Sequence, residues 1–238
     1  MRPLPRILHI RRSFDKPILS QSIRIRDFAW EVEDRPGIFP SENKLAIDVL
    51  ENLCKKDVDE KNELRLSIRI LLARLYRKEK QYLKSEHWCD KASELCHDNP
   101  NILYEKGVLY FNQGKYSQAK QLFFQKYLLE TYDISAMVYQ TLCIFKQPGC
   151  SLSIAERSFK DALGKLDKEE EKIRERTRKY GHWGQYNKYD FSDRLPIIRN
   201  KGFLHFGFAL YCGEKGYKEK SLENLLKGYF WYHKANSI

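Results

Sequence analysis

Metal binding and nucleophilic catalysis need histidine, cysteine and carboxylate side chains at set spacings, and this chain has the residue types without the spacings. Its histidines, His9, His87, His97, His182, His205 and His233, are scattered, and no two stand one helical turn apart. Its cysteines are Cys54, Cys89, Cys96, Cys143, Cys150 and Cys212. None are separated by the two residues usual in zinc or thioredoxin-like sites, so a reduced compartment is the simpler reading. Cys89 and Cys96 lie seven apart, on one helix face, which suits small buried thiols better than a metal. No glycine-rich phosphate loop or serine elbow occurs. The expectation is a chain that is not an enzyme, with no metal, no cofactor and no small-molecule substrate; the alternative is a catalytic set assembled only by the fold.

The other chemistry on offer is electrostatic and aromatic. Lysine and arginine number 43 against 32 acids, a formal charge of +11 that favours RNA, acidic protein surfaces or anionic membranes as neighbours. Lys165 to Lys179 is a highly charged run containing Arg174, Arg176, Arg178 and Lys179. It leads into an aromatic stretch, Tyr180 to Phe191, with Trp183 and Tyr186. Such a stretch stacks on bases, anchors a protein interface, or folds as a loop over the protein's own helices. These six basic and aromatic residues are candidate RNA or partner contacts. Residues 1–26 carry seven basic residues against Asp15 alone, the charge bias of a mitochondrial targeting segment or of a retained basic arm. Pro3, Pro5 and Pro17 interrupt the amphipathic helix that targeting segments form. The expected location is the mitochondrion, otherwise the cytoplasm.

Helices must position these groups. No stretch approaches the ~18 consecutive apolar residues of a membrane span, and no alternating strand or hairpin signal appears. After an irregular lead-in, Ser41 caps a helix reaching Lys55, and Leu64 to Tyr76 forms the next apolar stripe. Further helices are expected from about Tyr82 to Cys96, Asn101 to Phe111, Tyr116 to Glu130, Ile134 to Phe145, Ser151 to Lys179, Leu195 to Tyr211, and Tyr217 to His233. The short turns between them imply antiparallel neighbours. The fold class is all-α.

A shift of 34 residues lays Ala73 on Gly107, Tyr76 on Tyr110, Tyr82 on Tyr116 and Ser85 on Ala119. With Gly114 and Phe123, this pattern resembles the tetratricopeptide repeat family, best over Asn101 to Glu130. A preceding unit, Leu66 to Asn99, has Lys80 where a turn glycine is usual. A following one, Ile134 to Asp167, keeps Ala155 and Phe159, with about two extra residues around Gln147 to Gly149. Gly216-Tyr217 resembles the turn once more, with Lys220 in place of the expected small residue. The resemblance implies antiparallel helix pairs stacked as a short superhelix, each covering its neighbour's apolar face.

It also implies a concave partner-binding groove. That groove is expected to carry Ile70, Arg74, Arg77 and Lys78, then Tyr104, Val108, Phe111 and Asn112, then Val138, Leu142, Phe145 and Lys146. A cationic end and an apolar floor would suit an acidic, partly apolar segment; the alternative is a solvated basic face and a floor covered by the protein's own carboxyl-terminal helix. The expected organisation is a basic arm (1–40), helical repeats (41–167), a charged helix extension with an aromatic loop (168–194) and a carboxyl-terminal helix pair (195–238). The function expected of it is a non-catalytic scaffold whose partners are protein subunits of a larger assembly. An RNA-binding or ribosome-associated role and a transient adaptor for acidic peptides are the alternatives.

Overall fold

The computed structural model describes residues 40–55, 62–130, 133–180 and 186–236. Among the described residues there are helices and no strands, as the periodicity predicts: α1 (Pro40–Lys55), α2 (Asn62–Lys78), α3 (Tyr82–Ser93), α4 (Pro100–Asn112), α5 (Tyr116–Leu129), α6 (Ile134–Phe145), α7 (Leu152–Tyr180), α8 (Tyr186–Glu214) and α9 (Lys218–Asn236). The amino-terminal arm lies outside the described residues. The chain divides into two compact units, Met1–Leu109 and Tyr110–Ile238.

In the first unit Ala46, Ile47 and Leu50 of α1 recur at helical spacing and meet Leu64, Ile68, Leu71, Leu72 and Leu75 of α2, with Trp88 of α3 packed at the edge. In the second, Val138, Leu142 and Phe145 of α6, Phe159 and Leu166 of α7, and Ile197, Leu204 and Phe208 of α8 share one core. Phe159 and Phe208 stack there with centroids 4.5 Å apart.

The turns inside three helix pairs are built alike. Lys80, Gly114 and Gly216 adopt left-handed backbone, with φ of 58°, 76° and 82°. Each donates its N–H to the carbonyl three residues back, on Arg77, Phe111 and Gly213, at 3.0, 3.0 and 3.1 Å. The next residue donates to the carbonyl five back, on Tyr76, Tyr110 and Cys212, at 2.9, 2.9 and 2.8 Å. This doubled closure satisfies the last carbonyls of the first helix and reverses the chain in the fewest residues. Lys80 therefore does the work of a glycine while bearing a side chain.

Five residues past each turn stands a small residue: Ser85, Ala119 or Ser221. Ser85 Oγ donates to the Ala73 carbonyl at 2.8 Å, and Ser221 Oγ to the Ala209 carbonyl at 2.9 Å. The two bonds are the same contact in two helix pairs, the second helix lying so close to the first that a hydroxyl reaches its backbone. This corrects the register of the last pair. Its small residue is Ser221, not the position held by Lys220, because the count runs from the left-handed residue.

Of the two long helices, α8 differs from expectation at its start. α8 begins at Tyr186, well before Leu195, and Pro196 lies exposed inside it. The proline and the aromatic composition read locally as a loop and a helix start; pairing of α8 with α7 overrides that preference. α7 runs unbroken from Leu152 to Tyr180, the charged run continuing the helix expected from Ser151 to about Lys179.

Candidate partner-binding surfaces

The expected cationic end of the groove is an internal clamp. Glu105 is buried on α4, in line with Ile102 and Leu109. Arg74 Nε lies 2.6 Å from its Oε1, and the Arg77 guanidinium 3.0 Å from its Oε2. Burial alone would raise the Glu105 carboxyl, but the charges and hydrogen bonds of Arg74 and Arg77 outweigh it and hold it below the usual carboxylate range. An acidic ligand would compete with Glu105 for both guanidinium groups. Of the other residues on this unit, Lys78 is exposed, Ile70 and Tyr104 are half-buried and Val108 is buried.

On the second unit Asn112 is exposed, and the half-buried Phe111 sets its ring 5.5 Å from Tyr139. Val138, Leu142 and Phe145 are buried. The chain's own α8 takes the place that the resemblance gives to a partner: the Phe145 ring lies 5.6 Å from Phe208 and 5.8 Å from Tyr211. Lys146 pairs with Glu214 of the same helix.

The charged run is organised by a second buried acid. Glu170 sits on α7 in the register of Leu166 and Ile173 and is 3% exposed. It accepts from Arg174 at 2.7 Å, from Arg194 at 2.9 Å and from Lys201 Nζ at 2.5 Å. Lys201, buried on α8, also lies 2.6 Å from Asp167 and 4.8 Å from the Trp231 ring centre. Burial raises the Glu170 carboxyl, and the hydrogen bonds from Lys201, Arg194 and Arg174 more than reverse this, leaving it at about 2. Arg174 thus pairs with Glu170 and Glu171 of its own helix. Arg176, Arg178 and Lys179 are exposed, with Arg178 3.4 Å from Glu171. Trp183 lies outside the described residues, and Tyr186 is the first residue of α8.

The nucleophilic and titratable groups inside the units are quiet. Burial pushes the Cys89 and Cys143 thiols up to about 12, so both stay protonated at neutral pH. Burial lowers His205, against the opposing hydrogen bond with Asn224 at 2.9 Å, and the ring stays neutral. No cluster of three or more potential metal ligands occurs among the described residues. No helix among them is long and apolar enough to cross a membrane.

The model of the tetratricopeptide repeat family matches residues 88–121, which span α4 and the turn whose left-handed glycine and small Ala119 are described above. Over those residues the chain is similar to a tetratricopeptide repeat. No curated protein matches the sequence. Among solved structures, MamA MSR-1 C2 is 15% identical with a TM-score of 0.45, covering 90% of this chain and 98% of that one. MamA RS-1 ArsTM double mutant is 12% identical with a TM-score of 0.47, covering 91% and 97%.

One repeat surface was missed in the sequence. On α9, Ser221, Asn224, Gly228 and Trp231 face inward, and Gly228 lies so near α8 that an added Cβ would stand 2.9 Å from the Phe206 ring. The opposite side carries Leu222, Leu225, Leu226, Tyr229, Phe230 and Tyr232, all exposed. The signal was an excess: more apolar residues than one buried stripe of a 19-residue helix needs.

Proposed function

We propose that this protein is a non-catalytic scaffold subunit of a larger protein assembly, placed in the mitochondrion. One observation carries the scaffold reading: the repeats leave large apolar side chains uncovered on several helices. Leu83 of α3 is 84% exposed, and on the second unit Phe124 and Leu128 of α5 and Leu210 of α8 are exposed as well. Large apolar side chains left open to solvent are what docking sites on folded proteins are built from. The basic character of residues 1–26 supports the location. The decisive measurement is the native size of the protein in an organelle extract, followed by mass spectrometry of what co-purifies with it. The expected result is a particle far larger than 28.4 kDa with reproducible protein partners; a free chain would overturn the reading.

A second reading, RNA binding, is favoured by the +11 charge and by the exposure of Arg176, Arg178 and Lys179 along the end of α7. It expects ultraviolet crosslinking to recover RNA and affinity to fall steeply with salt. Absence of crosslinked RNA would remove it.

A further inference from the structure

The outer side of α9 is large enough and ordered enough in its chemistry to name what covers it. Its six apolar side chains are 49–62% exposed. At about 200 Å² for a whole large side chain they present roughly 700 Å², close to the ~800 Å² that each partner buries in a standard stable interface. The next apolar stripe in the same unit, Phe124, Leu128 and Leu129 on α5, has half as many members. The α9 stripe is also polarised along its length. Leu222, Leu225 and Leu226 occupy the amino-terminal half; Tyr229, Phe230 and Tyr232 the carboxyl-terminal half. Hydroxyl hydrogen bonding is partly met within the stripe, since Tyr229 Oη and His233 Nε2 lie 2.7 Å apart.

We infer that α9 pairs with α9 of a second copy of this chain, antiparallel about a two-fold axis beside Leu226. A two-fold interface must be complementary to itself. Only the antiparallel arrangement lays the aliphatic half of one stripe on the aromatic half of the other, where branched and flat side chains interleave. Charge selects the same arrangement. Glu219 lies in the first turn of α9 and Lys234 in the last. Antiparallel pairing about Leu226 brings Glu219 of each copy to the level of Lys234 of the other, whereas parallel pairing sets each charge at the level of its own kind. Lys234 rests over the Trp231 and Phe230 rings, 4.8 and 6.0 Å from their centres, so its ammonium is already held at the rim. Glu223 is occupied by Lys227 at 2.5 Å on α9 itself.

This goes beyond the scaffold reading, which requires partners but not a second copy. The test is light scattering on the purified full-length chain across a dilution series. The expected result is a reversible dimer of twice 28.4 kDa. Leu226→Glu, on the exposed side, should weaken it at least roughly a hundredfold by setting two carboxylates at the axis, with helix content and melting temperature unchanged. Glu219→Lys or Lys234→Glu alone should each weaken it several-fold, and the two together should restore it. Three outcomes overturn the inference: a chain that stays monomeric at its highest soluble concentration, whether another segment or a different protein covers the stripe; a dimer indifferent to Leu226→Glu; or charge swaps that fail to compensate. A monomer that still enters a large native particle would sink this pairing and leave the scaffold reading intact.

Discussion

Lys80 occupies a left-handed backbone position that two sister turns give to glycine, and a side chain there costs ~1 kcal/mol or more. Lys80→Gly should therefore raise unfolding free energy by about 1 kcal/mol in denaturant titration, and Gly216→Ala should lower it by a similar amount. No change on Lys80→Gly would mean that the side chain recovers the strain through contacts of its own. Charged residues in apolar register are the other lesson at this scale. Glu105 follows Ile102 and precedes Leu109 on one face, while Glu170 falls between Leu166 and Ile173, and Lys201 between Ile197 and Leu204. An ion in such a line must find a counter-ion, and each does. Glu170→Ala should cost about 3 kcal/mol, because it leaves Lys201 buried with Asp167 as its remaining ion-pair partner. The pH dependence has a definite sign. Glu170 is held at about 2, below its unfolded value near 4.5, so its contribution is complete above that value. It is lost as pH falls from the unfolded value toward 2, and Glu105, also lowered, adds in the same direction. A melting temperature that does not drop across that window in wild type, or drops equally in Glu170→Gln, would contradict the assignment.

Among elements, helix spacing is set by the smallest residues. An added Cβ at Gly207 would stand 2.1 Å from Leu142 Cδ2, with the Phe145 ring 3.9 Å away, in a core with little room for either to move. Gly207→Ala should cost roughly 1–3 kcal/mol by overpacking the α6–α8 contact. Adding Leu142→Ala, which empties the clashing volume, should yield a double mutant more stable than the two separate costs sum to. Strict additivity would show that the two residues do not meet. The same closeness explains why α6 presents no open floor to a partner: α8 is already there, with Phe208 and Tyr211 against Phe145.

For the molecule as a whole, large apolar side chains stand exposed outside both cores, and the proposed assembly would cover them. The native-size measurement reads whether other proteins cover that surface, and the dilution series reads whether a second copy covers α9. The two are separable because Leu83 of α3 and Phe124 and Leu128 of α5 are exposed residues distinct from the α9 stripe that a second copy would cover. If both hold, each scaffold enters its assembly as a pair, and Leu226→Glu should halve its stoichiometry without expelling it.

The helices, their order, the 34-residue period and the left-handed turn at Gly114 were readable in the chain because each depends on neighbours within a few residues: 3.6-residue periodicity, a glycine free to take positive φ, a small residue where two helices cross. The start of α8 and the register of Ser221 were misread for the same reason, since local composition around Pro196 and Lys220 pointed elsewhere and pairing with a distant helix overrode it. Which face of α9 is covered, whether Arg74 and Arg77 meet solvent or Glu105, and what fills the space beside Leu142 were decided by the tertiary structure. Those answers depend on residues far apart in sequence, and an amphipathic pattern states only that a surface must be buried, not what will bury it.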